Sequence, residues 1–253
     1  MNDERIDLYQ SGYLADYGFE STMVHYRRKL LLGRLEKYRP MVVIEIGCGL
    51  ELLYDAWLQD GGEVESWIIV DPAEIFAENA KQSNLPNLHV ICDIFEHAVP
   101  KVKATLPRTP DLVICSSLLH EVPSAIDLLT AIRCVMGRAT LLHVNVPNSE
   151  SLHRRLAKAM GLISDTKAMS ERNAKLLQHR DYSMRSLKLD LVSSGFEVVE
   201  SGGYFVKPFT HMQMEGVAPL IGTDVLEGLY LLGKEEPDLA SEIFVEAFRG
   251  KHE

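Results

Sequence analysis

The chain has 253 residues, with 26 Lys plus Arg against 36 Asp plus Glu, a net charge of −10 at pH 7 and 46% apolar side chains. Those proportions belong to a globular protein with a sizeable core and exclude a disordered or fibrous one. The acid excess argues against a binder of nucleic acid, which carries a basic footprint, and no apolar run approaches the ~18 residues that span a bilayer.

The first ten residues, MNDERIDLYQ, hold no apolar segment of the kind that heads a secretory signal. Cys48, Cys92, Cys115 and Cys134 are widely spaced with no CxxC pair. They read as reduced, buried thiols of a cytoplasmic protein, without a disulfide framework or zinc site.

In chain order, residues 19–37 form a helical pattern in which Met23, Val24, Leu30, Leu31 and Leu35 share a face. MVVIEIG (41–47) is a β-branched strand ending in glycine, followed by a helix over 51–60. SWIIVD (66–71) is a strand, AEIFAENAKQ (73–82) a helix and LHVICD (88–93) a strand. Phe95–Leu106 is weakly helical and broken at Pro100. DLVIC (111–115) is a strand, and SAIDLLTAIRCVM (124–136) is an amphipathic helix with Ser124 placed to cap it. TLLHVNV (140–146) closes the series. Helical stretches follow around 150–160 and 170–178, then a helix behind Ser183 that ends at Gly195. FEVVESGGYFV (196–206) is a strand with a glycine break, residues 223–233 are helical within a helical segment expected over 208–235, and EIFVEAF (242–248) is a strand expected at the sheet edge, antiparallel to the rest. Strands alternating with helices imply βαβ units and an α/β, doubly wound, mostly parallel sheet. With no repeat or linker, the chain reads as one domain. Its parts are an N-terminal helical cap (1–39), a core (40–148), a helical lid (149–182) and the remainder of the sheet with a helical insertion (183–253).

The strongest chemical signal is V-I-E-I-G-C-G-L (43–50) at the first strand-to-helix turn. Gly47 and Gly49 let the backbone turn tightly and approach a ligand at a helix N-terminus. Position 52 is Leu, so this is not the dinucleotide G-x-G-x-x-G fingerprint. Glu45 precedes the turn and faces the same crevice. Asp71 ends the next strand, where doubly wound folds place an acceptor for a ribose diol. Asp93 ends the third, with Ile94 beside it: an acid for an adenine amino group and an aliphatic cover for the ring. An adenosine-bearing cofactor without a pyrophosphate fits these three strand ends best.

With E-I-G-C-G (45–49), V-D-P (70–72), C-D-I (92–94) and D-L-V-I-C-S-S-L-L-H-E-V (111–122), the chain resembles the class I S-adenosylmethionine-dependent methyltransferases. The resemblance covers about residues 40–146 and extends through L-V-S-S-G-F-E-V-V (191–199). It implies a seven-stranded sheet and S-adenosylmethionine as cofactor. Gly47, Cys48 and Gly49 would hold the methionine part with Glu45 in support. Asp71, followed by Pro72, would take the ribose, Asp93 and Ile94 the adenine, and Ser116 would line the pocket by its backbone. Many members carry a third glycine where this chain has Glu51. A narrower resemblance, through V-P-N-S-E-S-L-H-R (146–154), M-G-L-I (160–163), H-R-D-Y (179–182) and G-G-Y-F-V-K-P-F (202–209), is to bacterial enzymes related to the ubiquinone-biosynthesis O-methyltransferases. N-V-P-N (145–148) differs from the N-P-P-Y motif of adenine amino methylation.

His120 follows the fourth strand in the crevice where open α/β sheets bind substrates. A neutral imidazole there can take a proton from an attacking hydroxyl or amine; the alternative is a core histidine. His153, Arg154, His179, Arg180 and Tyr182 are candidates for acceptor contact, against a solvated helix face or, for Tyr182, a place in the core. Arg27 is positioned to reach the cofactor carboxylate if its helix closes over the site, against a surface salt bridge. The fourth strand ends in Ser116 rather than an acid, so no metal is expected. Residues 150–190 hold nine Lys or Arg and five Asp or Glu. This basic cover, with Arg154 or Arg180 as a clamp, points to an acceptor carrying phosphate or carboxylate. The function expected is methyl transfer to an oxygen of a small molecule or glycan. The alternatives are an amine or peptide N-terminus as acceptor, a cofactor-binding protein without transferase activity, and a nicotinamide dehydrogenase.

Overall fold

The computed structural model describes residues 18–166 and 179–251. Seven strands form one sheet: β1 (Val42–Ile46), β2 (Ser66–Val70), β3 (Leu88–Ile91), β4 (Leu112–Ser116), β5 (Leu141–Pro147), β6 (Phe196–Tyr204) and β7 (Glu242–Arg249). Around it lie α1 (Glu20–Tyr38), α2 (Leu53–Gln59), α3 (Glu74–Gln82), α4 (Phe95–Thr105), α5 (Ala125–Val135), α6 (Leu152–Ala159), α7 (Met184–Ser193) and α8 (His211–Glu235). The helix expected at 170–178 lies outside the described residues.

The sheet order is β3-β2-β1-β4-β5-β7-β6. β1 to β5 pair in parallel, while β7 is antiparallel to both β5 and β6. Because β1 and β4 are neighbours, the chain reverses its winding between them and opens a crevice at their C-terminal ends. Alternation sorts the side chains by face. Ile44, Ile46, Val113, Cys115, Val144 and Val245 pack against α4, α5 and α7, around Phe95, Leu128, Ile132 and Leu191. Val43, Trp67, Ile69 and Ile114 face Leu35 of α1, Tyr54 and Trp57 of α2, and Phe76 of α3. A third cluster joins Phe19, Tyr26 and Leu30 to Tyr204, Phe205, Tyr230 and Phe244, and so seats α1 and α8 on the β6–β7 end of the sheet.

Local signals explain most boundaries. Ser124 accepts from the Asp127 amide and caps α5. Ser183 and Ser186 form a reciprocal capping box on α7, and Gly195, at φ 83°, turns the chain into β6. Three expectations need correction. Pro100 does not break α4: the helix runs through it because Phe95, Ala98 and Val102 are buried along one face. The last helix, expected within 208–235, is α8, capped by Thr210 and bent at Gly222 (φ 74°, ψ 172°). Cys92 and Cys134 are exposed, although all four cysteines are free. Finally, β7 is not at the edge but between β5 and β6. Glu242 and Glu246 gave it the alternation of an edge strand, yet both are buried and met by arginines of α1: Arg27 pairs with Glu242, and Arg34 lies 3.3 Å from Glu246.

Candidate active site

The first strand-to-helix turn is built on backbone freedom. Gly47 (φ 78°) and Gly49 (φ 63°) occupy the left-handed region that other residues adopt at a cost. The Gly47 amide donates to the Val70 carbonyl (2.9 Å), locking the turn to β2. Asp71 braces it from the side: Oδ2 accepts from the Cys48 amide and Oδ1 from the Ala73 amide, both at 2.9 Å, the second spanning Pro72. Asp71 is buried, and burial pushes its carboxyl above the ordinary value against those two amides. A carboxylate oxygen offers two acceptor sites, and Oδ1, bonded to the Ala73 amide, keeps one for a further donor. The Cys48 thiol is 3.6 Å from Asp71 Oδ2, and burial raises its pKa.

Glu45 lies beneath the turn and accepts from Trp67 Nε1 at 2.9 Å. Burial pushes its carboxyl up to about 8, so it carries its proton at neutral pH. Asp93 and Ile94 stand at the end of β3 and the start of α4. Asp93 accepts from the Ile94 amide (2.9 Å) and from Lys101 Nζ (2.8 Å), and the Lys101 ammonium holds its carboxyl below the ordinary range. Ser116 ends β4, half-buried, paired with Asn145 of β5. The Glu51 carboxylate does not stand alone at the mouth: Arg28 of α1 pairs with it and also donates to its carbonyl.

His120 is 4% exposed and its Nδ1 has no partner among the described residues. Burial, then the charge of Arg27, pushes it down to about 3, which keeps the imidazole neutral. Its carbonyl accepts from the His179 amide (2.9 Å), which ties the β4 loop to the chain entering α7. Above it runs a polar network that sequence reasoning missed. Arg27 donates to Glu242 from Nε (3.0 Å) and to Glu20 from Nη2 (3.1 Å). Glu242 also accepts from Asn145 Nδ2 (3.1 Å) and from the Tyr204 hydroxyl. Asn145 is fully buried and its Oδ1 finds no donor among the described residues. Glu20 Oε2 meets His211 Nε2 (3.0 Å), and His211 Nδ1 meets Lys207 Nζ (2.6 Å). Only the inward alternation of Asn145 and Glu242 in their strands pointed to this network.

Several sequence candidates fall elsewhere. Arg27 forms a buried ion pair rather than a surface one. Tyr182 sits in the core at 1% exposure and donates to Asp190 Oδ2 (2.9 Å), so its role is packing. Arg180 donates to Asp190 Oδ1 (2.7 Å) and lies over the Tyr182 ring. Arg154 donates from Nε to the Thr166 carbonyl. His179 is exposed, whereas half-buried His153 pairs with Ser151 Oγ (3.0 Å). Asn148 is a clamp, donating to the Ala240 carbonyl (2.9 Å) while its Oδ1 accepts from the Glu150 amide. A surface cavity of about 620 Å³ beside α6 is lined by Glu150, Arg155, Lys158, Ala159 and Thr166 and contains none of the network. Among the described residues no His, Cys, Asp or Glu group is arranged to hold a metal, and no helix is long and apolar enough to cross a membrane.

No protein-family model matches the chain, and no curated protein does. Solved structures do. The chain superposes on the plantazolicin methyltransferase BamL, crystallised with a triazolic desmethylPZN analog and SAH, with a TM-score of 0.58 and 15% identity over 98% of each chain. It superposes on an S-adenosylmethionine-dependent methyltransferase from Mesorhizobium loti with a TM-score of 0.59 and 16% identity, over 88% of this chain and 98% of that one. An Archaeoglobus fulgidus SAM-dependent methyltransferase gives 0.53 and 16%, over 87% and 94%. The fold is that of the S-adenosylmethionine-dependent methyltransferases. Within this methyltransferase fold, the glycine turn, Asp71 and Asp93 stand at the ends of three adjacent strands, β1, β2 and β3.

Proposed function

We propose that the chain transfers a methyl group from S-adenosylmethionine to an oxygen of a small molecule or glycan. The observation that carries this reading is the Gly47–Cys48–Gly49 turn fastened to Asp71, with Asp93 at the next strand end, at the switch point of a methyltransferase-fold sheet. The donor set fits the cofactor: positive-φ glycines open the backbone to the methionine part, Asp71 Oδ1 keeps an acceptor site for a ribose hydroxyl, and Asp93 with Ile94 suits an adenine. Ser116 and Cys48 line the same edge, and Glu45 supports the turn through Trp67. Arg27, held by Glu20 and Glu242, fixes α1 as the roof instead of binding the cofactor directly.

When bound, S-adenosylmethionine supplies a methyl group already activated on a sulfonium. The protein then has to align the acceptor, exclude water and accept one proton. His120 suits the proton-accepting role, because a neutral imidazole with an unpaired Nδ1 accepts the hydrogen bond of a hydroxyl and takes its proton as the oxygen attacks. Glu51, where many members of the resembled family carry glycine, is paired with Arg28.

Thermal shift separates the cofactors. S-adenosylhomocysteine at 100 times its dissociation constant is expected to add about 2.7 kcal/mol of stability, and NAD none; the reverse pattern would end this reading. Transfer of labelled methyl to a panel of hydroxyl and amine acceptors then decides the acceptor atom. Labelling confined to amines, including peptide N-termini, would replace oxygen by nitrogen, and binding without any labelling would leave a cofactor-binding protein.

A further inference from the structure

The ion pairs of α1 are distributed unequally about the crevice. Arg27 pairs with Glu242 of β7, Lys29 with Glu227 of α8 (2.5 Å), Arg34 with Glu200 of β6 (2.6 Å) and Glu246 of β7, and Lys37 with Glu200 (2.8 Å). All of these hold the helix to the β6–β7 end of the sheet. Its first half packs the same way, with Phe19, Met23, Tyr26 and Leu30 in the cluster of β6, β7 and α8, while Leu31 and Leu35, further along, pack with α2. Among the described residues, Arg28 is the one cation of α1 that pairs on the β1 side: its guanidinium donates to the Glu51 carboxylate and to the Glu51 carbonyl. Glu51 closes the glycine turn, and Asn79 of α3 donates to the preceding Leu50 carbonyl (2.7 Å). The helix that follows starts at an apolar N-cap, Leu52, which caps it with no side-chain bond. The exit of the turn is thus held from α3 and from α1.

Arg27 and Arg28 are adjacent, about 100° apart around the helix, yet their acids stand beyond β1 and at the start of β7. Those strands are three spacings apart in the sheet, roughly 14 Å. Helix α1 therefore spans the C-terminal ends of β4 and β5, where Ser116 and Asn145 are paired. The two moorings differ in burial: the side chains of Arg27 and Glu242 are 13% and 5% exposed, those of Arg28 and Glu51 20% and 56%. Breaking the buried pair strands a charge away from water, whereas the exposed pair parts into solvent at little cost. The first half of α1 accordingly lifts on the Arg28 side and stays moored on the Glu242 side. We propose that Arg28 is a positioning residue: with Glu51 it latches α1 across the cofactor turn, and parting of this ion pair governs release of S-adenosylhomocysteine. The inference rests on the methyltransferase reading for its ligand, but not for the latch itself. A glycine at position 51 has no carboxylate with which to make such a latch.

Release is read by chasing tritiated S-adenosylhomocysteine from the full chain with excess unlabelled ligand. Glu51→Gln is expected to speed release about two- to fivefold, the range of an exposed ion pair. Arg28→Gln should speed it about tenfold, since it also loses the bond to the Glu51 carbonyl. Raising NaCl from about 0.1 to about 1 M shortens the reach of a charge from about 10 to about 3 Å, so it should speed release more from wild type than from Glu51→Gln. The double reversal, Arg28→Glu with Glu51→Arg, should release more slowly than either single reversal, a rescue that a general loss of folding would not show. Release from Glu51→Gln as slow as from wild type would overturn the latch, and an effect of Arg28→Gln alone would place Arg28 on the cofactor instead. If S-adenosylhomocysteine fails to bind wild type, the methyltransferase reading falls and amide hydrogen exchange of the ligand-free chain decides the latch. Residues 23–28 should then exchange faster in Glu51→Gln, and in wild type at about 1 M NaCl, than in wild type at low salt; equal exchange would end the proposal.

Discussion

Residues carry the chemistry unevenly here, and His120 is the sharpest case. A base works best near the operating pH, whereas burial and Arg27 keep this imidazole at about 3. His120→Asn is therefore expected to lower the rate by about 10²-fold, the small end of general-base effects, with S-adenosylhomocysteine binding unchanged. Single-turnover transfer to the acceptor found on the panel measures it; a rate within twofold of wild type would remove His120 from the proton path. The glycine turn and the strand-end acids proposed to hold the cofactor were legible as positions in the fold because their signal is local: they stand at spacings the backbone dictates. Lys207, His211, Asn145 and Glu242 were not, because they are joined only when the β6–α8 connection, β5 and β7 meet in space through Glu20 and Arg27 of α1. For Tyr182 the sequence left core and acceptor contact open, and only the fold brings its hydroxyl to Asp190, eight residues further on; Arg180, ten residues before Asp190, pairs with the same carboxylate.

At the scale of elements, patterning located almost every strand and helix, and the failures share a cause. β7 alternates apolar and acidic residues like a half-solvated edge strand, but its acids are neutralised by Arg27 and Arg34, seven positions and two turns apart on α1. Periodicity cannot distinguish water from an arginine as the partner of a glutamate. Likewise the proline in α4 marked a break that burial of three apolar side chains overrides. Close approach is a further feature that periodicity does not report. A Cβ at Gly233 of α8 would stand 2.2 Å from the Phe205 amide nitrogen and 2.5 Å from the Tyr204 carbonyl carbon, both backbone atoms that cannot swing aside. Gly233→Ala is expected to cost about 1–3 kcal/mol by overpacking, despite the better helix propensity of alanine. Chemical denaturation tests this: unchanged stability would mean that α8 is free to lift from β6.

For the whole molecule, buried titratable groups set limits on either side of neutrality. His120 titrates below its ordinary 6.5, so the unfolded chain binds the extra proton first. Its contribution is fully present above 6.5 and is lost as the pH falls toward about 3. Each pH unit in that window costs up to about 1.4 kcal/mol per such histidine. Glu45 runs the other way. Its carboxyl is raised to about 8, so its contribution is present below 4.5 and declines as the pH rises through 8. Melting temperatures across pH 4–9 should fall at both ends; His120→Asn should flatten the acid limb and Glu45→Gln the alkaline one. Parallel curves for wild type and variants would show that other groups govern both limbs. The acidic net charge does not reveal any of this, since His120 and Glu45 are buried and uncharged at neutral pH.

The place of β7 also bears on the order in which the protein is made. β6 is synthesised well before the strand it pairs with, because β7, its only neighbour in the sheet, follows after the whole of α8. Until then β6 has an open edge on each side, which invites pairing with other chains, and Arg27 lacks the Glu242 that anchors it. On the ribosome, the glycine turn can form early while the roof over it waits for the seventh strand. On the proposed function, competence to hold the cofactor would precede competence to enclose an acceptor, and the nascent chain is most exposed to misassembly in the interval before β7 arrives.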